Sequence, residues 1–384
     1  PMIAVGLMSG TSFDGIDAAL VRIVPDGERY DVALERFATV PYSGELQHAI
    51  ARAVAPHAAT APQLAALHVA LGEAFGDAAR AIAGDRRIDY VASHGQTIFH
   101  DGASHLSWQL GDAFALRERA GATVIYDFRA ADCAAGGQGA PLVPYVDALL
   151  FGADEPRVAL NLGGIANLTW IPPGAHPGDV VAFDTGPANM LLDLFIAQRT
   201  NGALRYDPEG RHARRGSVDR ALLHEMLEDP YFALDPPKST GRERFGPGFL
   251  SQHGRIERLS IEDGAATLAA LSVESIARAV RRLAPRGTLV IVSGGGARNP
   301  TLVEGLRRAL PDHMLVTSDA CGIDPDAKEA VAFAVLGYET LRGRPAGLPR
   351  VTGARRPAIL GAIAPYRLQE LLARVEEERA MGSR

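Results

Sequence analysis

Twice in this chain a Gly-rich turn joins two apolar runs that carry Val and Ile, in "GLMSGTSFDGIDAALVRI" at residues 6 to 23 and "RVALNLGGIANLTWI" at 157 to 171. Apolar runs flanking such a turn predict strand, turn, strand. Its recurrence predicts that the second half of the chain begins as the first does, hence a duplicated architecture. At 384 residues the chain exceeds the length, about 250 to 300, at which single cores stop growing, so two domains are expected. Glycine has no Cβ to hold a ligand off, so these turns, and a third in "SGGGARN", can bring backbone N–H groups close to an anion such as phosphate. Taken singly, each is also an ordinary tight turn.

The remaining pattern predicts an α/β chain. Strands are expected at 2–8, 16–24, 33–40, 88–93 and 122–126, with amphipathic helices at 43–54, 62–83 and 111–120. The Gly- and Ala-rich stretch 127–141 reads as a connection or mobile site loop and is where the domain boundary is placed. "DVVAFDTGPANMLLDLF" predicts a strand closed by Asp184, a turn at Gly186 and Pro187, and a helix striped by Leu191, Leu192 and Phe195. A long helix at 264–283, a strand, turn and helix at 288–310, and a buried helix opened by Glu329 complete the second half. Residues 205–255, rich in Arg, Pro and Gly, read as an insertion or flexible excursion.

Several chemistries are excluded by spacing. Neither lysine, Lys238 or Lys328, stands in a GxxxxGK[ST] loop, so there is no P-loop. No serine has the G-x-S-x-G frame, His and Cys lack paired ligand spacing, and "SGGGARN" lacks GxGxxG. A net charge of -6 offers no basic field for nucleic acid, and no run approaches the ~18 apolar residues of a membrane span. With two cysteines and no charged-then-apolar leader, a reducing, cytoplasmic setting is expected.

Individual polar residues keep two readings each. Asp184, between an apolar run and a turn, can accept a proton from water or a hydroxyl, or cap a helix starting at Pro187. Glu329 can serve catalysis or only complement a helix dipole. His94, Gln96 and Arg129 can hold a polar ligand or satisfy one another.

Taken together, "GLMSGTSFDGIDAAL", "ASHGQT", "DFRAADCAAGGQGAPLVP", "LNLGGIANLT", "FDTGPANMLLD", "SGGGARNP" and "VTGARRPAILGAI" resemble the anhydro-N-acetylmuramic acid kinases, of the actin, heat-shock-70 and hexokinase superfamily, essentially end to end. The resemblance implies a two-domain actin-like ATPase (ribonuclease H-like) fold with an interdomain cleft. Its domains would be 1–135 and 136–384, with the tail from about 345 able to return to the first. It implies ATP held by Gly10, Thr11, Ser12, Phe13, Asp14, Gly15, Ile16 and Asp17, by Gly163, Gly164 and Asn167, and by Gly294, Gly295 and Gly296 near the nucleoside. Sugar contacts would come from His94, Gln96, Thr97 and Arg129, and catalysis from Asp184 as base with Glu329 orienting the water. The implied reaction is hydrolytic opening of the 1,6-anhydro ring with phosphorylation of O6, using Mg²⁺, in cell-wall recycling; a homodimer is also implied. Where superfamily hairpins carry a metal-facing Asp, this chain has Met8, so the metal-coordinating residues stay open between Asp14, Asp17 and others. A kinase of free N-acetyl amino sugars and a non-catalytic nucleotide switch are the competing readings.

Overall fold

The computed structural model describes residues 1–10, 13–26, 29–55 and 59–382. They form two compact units, one from Pro1–Leu150 and the chain from Ala327 onward, the other from Phe151–Asp326. The first unit therefore runs beyond residue 135, and the chain rejoins it at Ala327, ahead of the tail near 345.

In the first unit β1 (Met2–Ser9), β2 (Gly15–Asp26) and β3 (Arg29–Pro41) pair antiparallel in sequence order. On the other side of β1, β4 (Tyr90–Asp101) pairs parallel to it, and β6 (Thr123–Tyr126) pairs parallel to β4. β5 (Leu106–Leu110) forms a hairpin with β4, which the sequence pattern does not predict. In the second unit β7 (Arg157–Leu162), β8 (Ile165–Ile171) and β9 (Val181–Pro187) repeat the antiparallel run. β10 (Leu289–Ser293) then pairs parallel to β7, and β11 (Met314–Thr317) parallel to β10. Both sheets thus share one plan, three antiparallel strands followed by two parallel ones, which is the duplication the two hairpins predict. β12 (Ala362–Ala364), from the tail, closes the first sheet against β6.

Parallel neighbours need a crossover, and helices supply it. Between β3 and β4 run helices Gly44–Val54 and Ala61–Ala83, the first capped by Ser43 and the second opened by a Thr60/Gln63 capping box. Leu67, Leu71, Phe75, Ala78 and Ile82 recur at three- and four-residue steps and are buried in the first unit's core. Each fully buried Leu or Phe of this kind contributes about 1.5–3 kcal/mol. In the second unit helix Ile261–Leu283 turns one stretch toward the sheet, through Ile276, Ala277 and Val280, and another toward a second core.

That second core corrects the reading of 205–255 as an excursion. Leu222, Met226, Tyr231, Phe245 and Phe249 pack there with Leu192 and Phe195 of helix Met190–Arg199. The Arg residues that suggest exposure lie between apolar anchors, and Tyr231, Phe232, Phe245 and Phe249 form edge-to-face and tilted ring pairs. Among the described residues no helix is long and apolar enough to cross a membrane.

Helix Lys328–Leu341 is buried along nearly its whole length and lies against β1. The approach is so close that a Cβ on Gly6 would stand 1.8 Å from the Ala330 carbonyl oxygen. Gly6→Ala is therefore expected to destabilise the protein by about 3 kcal/mol or more. A urea midpoint equal to wild type would contradict this packing.

Candidate active site

The first hairpin turn is braced from below. Ser9 is buried, and its Oγ lies 2.9 Å from the Gly15 carbonyl and 2.7 Å from Gln96 Oε1, while Tyr42 donates its hydroxyl to Ser9 Oγ at 2.9 Å. Gln96 donates through Nε2 to the Gly10 carbonyl at 3.2 Å, and the Tyr42 N–H reaches the Asp14 carbonyl at 3.2 Å. Ser9 pairs in register with Gln96, which is how β4 comes to serve the turn. Fully buried, Gln96 spends its amide on the Gly10 and Thr97 carbonyls and on Ser9. Ile16 likewise faces the core, and Phe13 takes a left-handed φ of 57° and packs partly against that core. Asp17 Oδ1 accepts from Thr39 at 2.6 Å. Thr11 and Ser12 lie outside the described residues.

His94 and Arg129 come together in the same unit. The His94 Nδ1–H donates to the Gly95 carbonyl at 2.9 Å, leaving Nε2 to accept from Arg129 Nε at 3.0 Å. Burial, and then the neighbouring guanidinium, push the His94 pKa well below its usual range, so the ring is neutral. It lies tilted against Phe333, one helical turn beyond Glu329, with ring centroids 4.8 Å apart. Glu329 stands in the first turn of helix Lys328–Leu341, and burial raises its pKa against the opposing pull of Lys328 and Arg129. The adjacent Lys328 forms a buried ion pair with Asp147 at 2.8 Å. Thr97, on β4, accepts from Gln109 at 3.2 Å.

The stretch 127–141, read as a connection or mobile site loop, contains a short helix at Ala130–Ala134 and is tied to the rest of its unit by several bonds. Arg129 donates to the Gly139 carbonyl at 2.7 Å, and fully buried Asp132 accepts from the Gly139 N–H at 2.8 Å and from Thr352 Oγ1 at 2.7 Å. Backbone bonds from Gln138 to Thr352 and from Arg355 to Ala135 fasten the loop to the "VTGARRP" segment. Asp132 escapes sequence reasoning because one of its partners, Thr352, lies 220 residues away.

In the second unit the sheet register carries polar residues across four strands. Ser293 pairs with Asn161, Asn161 with Asn167, and Asn167 with Asp184. A β-bulge follows, since Ala166 pairs with Gly186 and Thr185 is left as the extra residue. Asp184 therefore lies inside β9, which runs on to Pro187, and the cap of the next helix is Asn189. The capping alternative for Asp184 is not realised. Its Oδ1 accepts from Asn167 Nδ2 at 3.0 Å and its Oδ2 from the Thr240 N–H at 2.9 Å. Burial raises its pKa, and those two bonds oppose the rise.

The Gly turns of this unit interlock. The Asn189 side chain donates to the Gly163 carbonyl at 2.8 Å, and the Ala188 and Met190 N–H groups reach the Gly164 carbonyl at 2.9 and 3.0 Å. Gly294, with φ 80°, lies so close to the Asn161 side chain that a Cβ would sit 2.6 Å from Oδ1. Around Gly295 there is open space, whereas Gly296 is buried beside Leu162.

Sequence reasoning misses Thr240, Lys238 and Tyr231. The signal was present, since Tyr231, Phe232, Phe245 and Phe249 cluster in a chain with only 6% aromatic residues, and flexible segments are aromatic-poor. The His94 geometry generates a direct check. Nitrogen-15 NMR should find Nδ1 protonated and Nε2 bare from pH 8 down to pH 6; a ring titrating near 6.5 would contradict it.

Comparison with known proteins adds the following. The family model described as anhydro-N-acetylmuramic acid kinase matches residues 2–366. A protein of that name from Xanthomonas axonopodis pv. citri (strain 306) is 47% identical over 369 residues, covering 94% of this chain and 97% of the relative. One from Caldanaerobacter subterraneus subsp. tengcongensis is 39% identical over 382 residues, covering 94% and 96%. One from Streptomyces coelicolor is 44% identical over 376 residues, covering 95% and 94%.

Proposed function

The chain belongs to the anhydro-N-acetylmuramic acid kinase family, and from that premise we propose that it uses ATP and water to convert 1,6-anhydro-N-acetylmuramic acid into N-acetylmuramic acid 6-phosphate and ADP. In this reading water attacks C1 of the anhydro sugar and Asp184 takes its proton. The C1–O6 bond breaks, its electron pair stays on O6, and O6 forms a bond to the γ-phosphorus as the bond to ADP breaks. The product is a cell-wall amino sugar phosphate, which fits a recycling role.

The observation that carries the assignment of the base is the setting of Asp184. Its carboxylate is partly buried, both oxygens are oriented by hydrogen bonds, and burial keeps its proton affinity above that of an ordinary Asp. Arg129 suits the lactyl carboxylate by its forked donors, with neutral His94 accepting from its Nε and Glu329 nearby in charge. The braced first turn and the turn at Gly163 and Gly164 suit phosphate, and the turn at Gly294 to Gly296 suits the nucleoside.

Mg²⁺ fits as an ion that arrives with the nucleotide. Among the described residues no three His, Cys, Asp or Glu side chains gather as a ready-made cage, and Mg²⁺ ordinarily keeps waters and phosphate oxygens with one or two carboxylates. Asp14 or Asp17 would reach it through water, and the coordinating residues stay open. When bound, it offsets the charge on the transferred phosphoryl group.

Asp184→Asn should retain ATP affinity and lose about 10² to 10⁴ in kcat, the usual worth of a general base. Near wild-type turnover would remove Asp184 from the role. Wild-type kcat should fall on the acid side with a limb above the ordinary carboxylate range, because the base must be ionised and its pKa is raised. ADP formation should require the anhydro sugar; equal turnover with free N-acetylmuramic acid would favour an ordinary amino-sugar kinase.

A further inference from the structure

We propose that Asn167 and the segment Lys238–Thr240 are positioning elements of Asp184, so that Asn167 acts on the base rather than on the nucleotide. The inference rests on the reading of Asp184 as the base. The geometry behind it is a clamp on both the carboxylate and the backbone of one residue. Asn167 donates to Oδ1 at 3.0 Å and the Thr240 N–H to Oδ2 at 2.9 Å. Asp184 gives its own N–H to the Lys238 carbonyl at 3.2 Å, and its carbonyl accepts from the Tyr231 hydroxyl at 2.7 Å.

The segment that makes these bonds is itself fixed at both ends. Lys238 donates from Nζ to the Tyr231 carbonyl at 3.0 Å and lies 4.6 Å over the Tyr231 ring. Beyond Thr240, the Phe245 N–H reaches the Gly241 carbonyl at 2.9 Å, and the Phe245 side chain is fully buried. Two anchored aromatics thus bracket three residues that run beside β9. On the opposite flank, the β8–β9 register brings Asn167 level with Asp184 next to the bulge.

One donor on each oxygen has two consequences. It fixes the rotation of the carboxylate, so the lone pairs left for water point in set directions, and it favours the anion that burial disfavours. The charged and titratable groups acting on Asp184 are Lys238, which favours the anion, Glu243, which opposes it, and Tyr231, whose hydroxyl is bound to the Asp184 carbonyl. Removing the Asn167 donor must therefore raise the proton affinity of Asp184.

The test uses the full chain with ATP, Mg²⁺ and the anhydro sugar, and compares wild type, Asn167→Leu, Asn167→Ser and Asp184→Asn. Asn167→Leu should move the acid limb of the kcat profile upward by about one pH unit, as expected for losing one hydrogen bond to a charged group. Activity should recover at alkaline pH, and KM for ATP should change by less than about threefold. Asn167→Ser, too short to reach Oδ1, should show the same shift at less cost to packing, with circular dichroism checking the fold of both. An unmoved limb with a raised KM for ATP in both variants would overturn the inference and return Asn167 to the nucleotide. If Asp184→Asn keeps the acid limb and its turnover, the base reading itself fails and this inference with it.

Discussion

Pairing β7 with β10 on one side and β8 on the other sets Ser293, Asn161 and Asn167 level with one another, and β9 then delivers Asp184 to the same row. Everything proposed for the second unit depends on this register. A slip of one residue would turn each of these side chains to the opposite face. The bulge at Thr185 lets the strand carry Asp184 in register and still take Gly186 past the Phe232 ring, which leaves no room for a Cβ.

The two sheets solve the same problem twice with different side chains. In each, a hairpin between the first two strands ends in glycines beside a parallel strand. In the first unit the parallel neighbour contributes Gln96, whose amide grips the Gly10 carbonyl from a buried position. In the second it contributes Ser293 and then Gly294, which closes onto Asn161. In both units the adjacent strand thus reaches a described residue beside the turn, Gly10 in the first and Asn161 in the second.

Much of this was legible in the sequence, because it is written locally. Apolar runs around Gly turns predicted both hairpins, and helices expected at 62–83 and about 264–283 are found at Ala61–Ala83 and Ile261–Leu283. Asp184 and His94 stood out as polar residues at the ends of apolar runs, Glu329 as the residue opening a helix, and Arg129 as a charge within the Gly- and Ala-rich connection. What escaped was long-range. No local signal says that Gln96 turns inward to a hairpin, that Asp132 ties its loop to Thr352, or that Thr240 lends its N–H to Asp184. Composition misled at 205–255, where the Arg-rich stretches hide aromatic anchors, and at 127–141 it did not reveal the short helix Ala130–Ala134 or the bonds to Thr352 and Arg355.

The central claim is that a sugar kinase of this family couples ring opening by water to transfer of phosphate. The most direct measurement is to run the reaction with ATP and the anhydro sugar in ¹⁸O-labelled water and read the product by mass spectrometry before anomeric exchange, against a solvent-exchange control. The account predicts one solvent oxygen at C1 of the sugar 6-phosphate and none in the transferred phosphoryl group. A 6-phosphate formed with no solvent oxygen at C1 would contradict it.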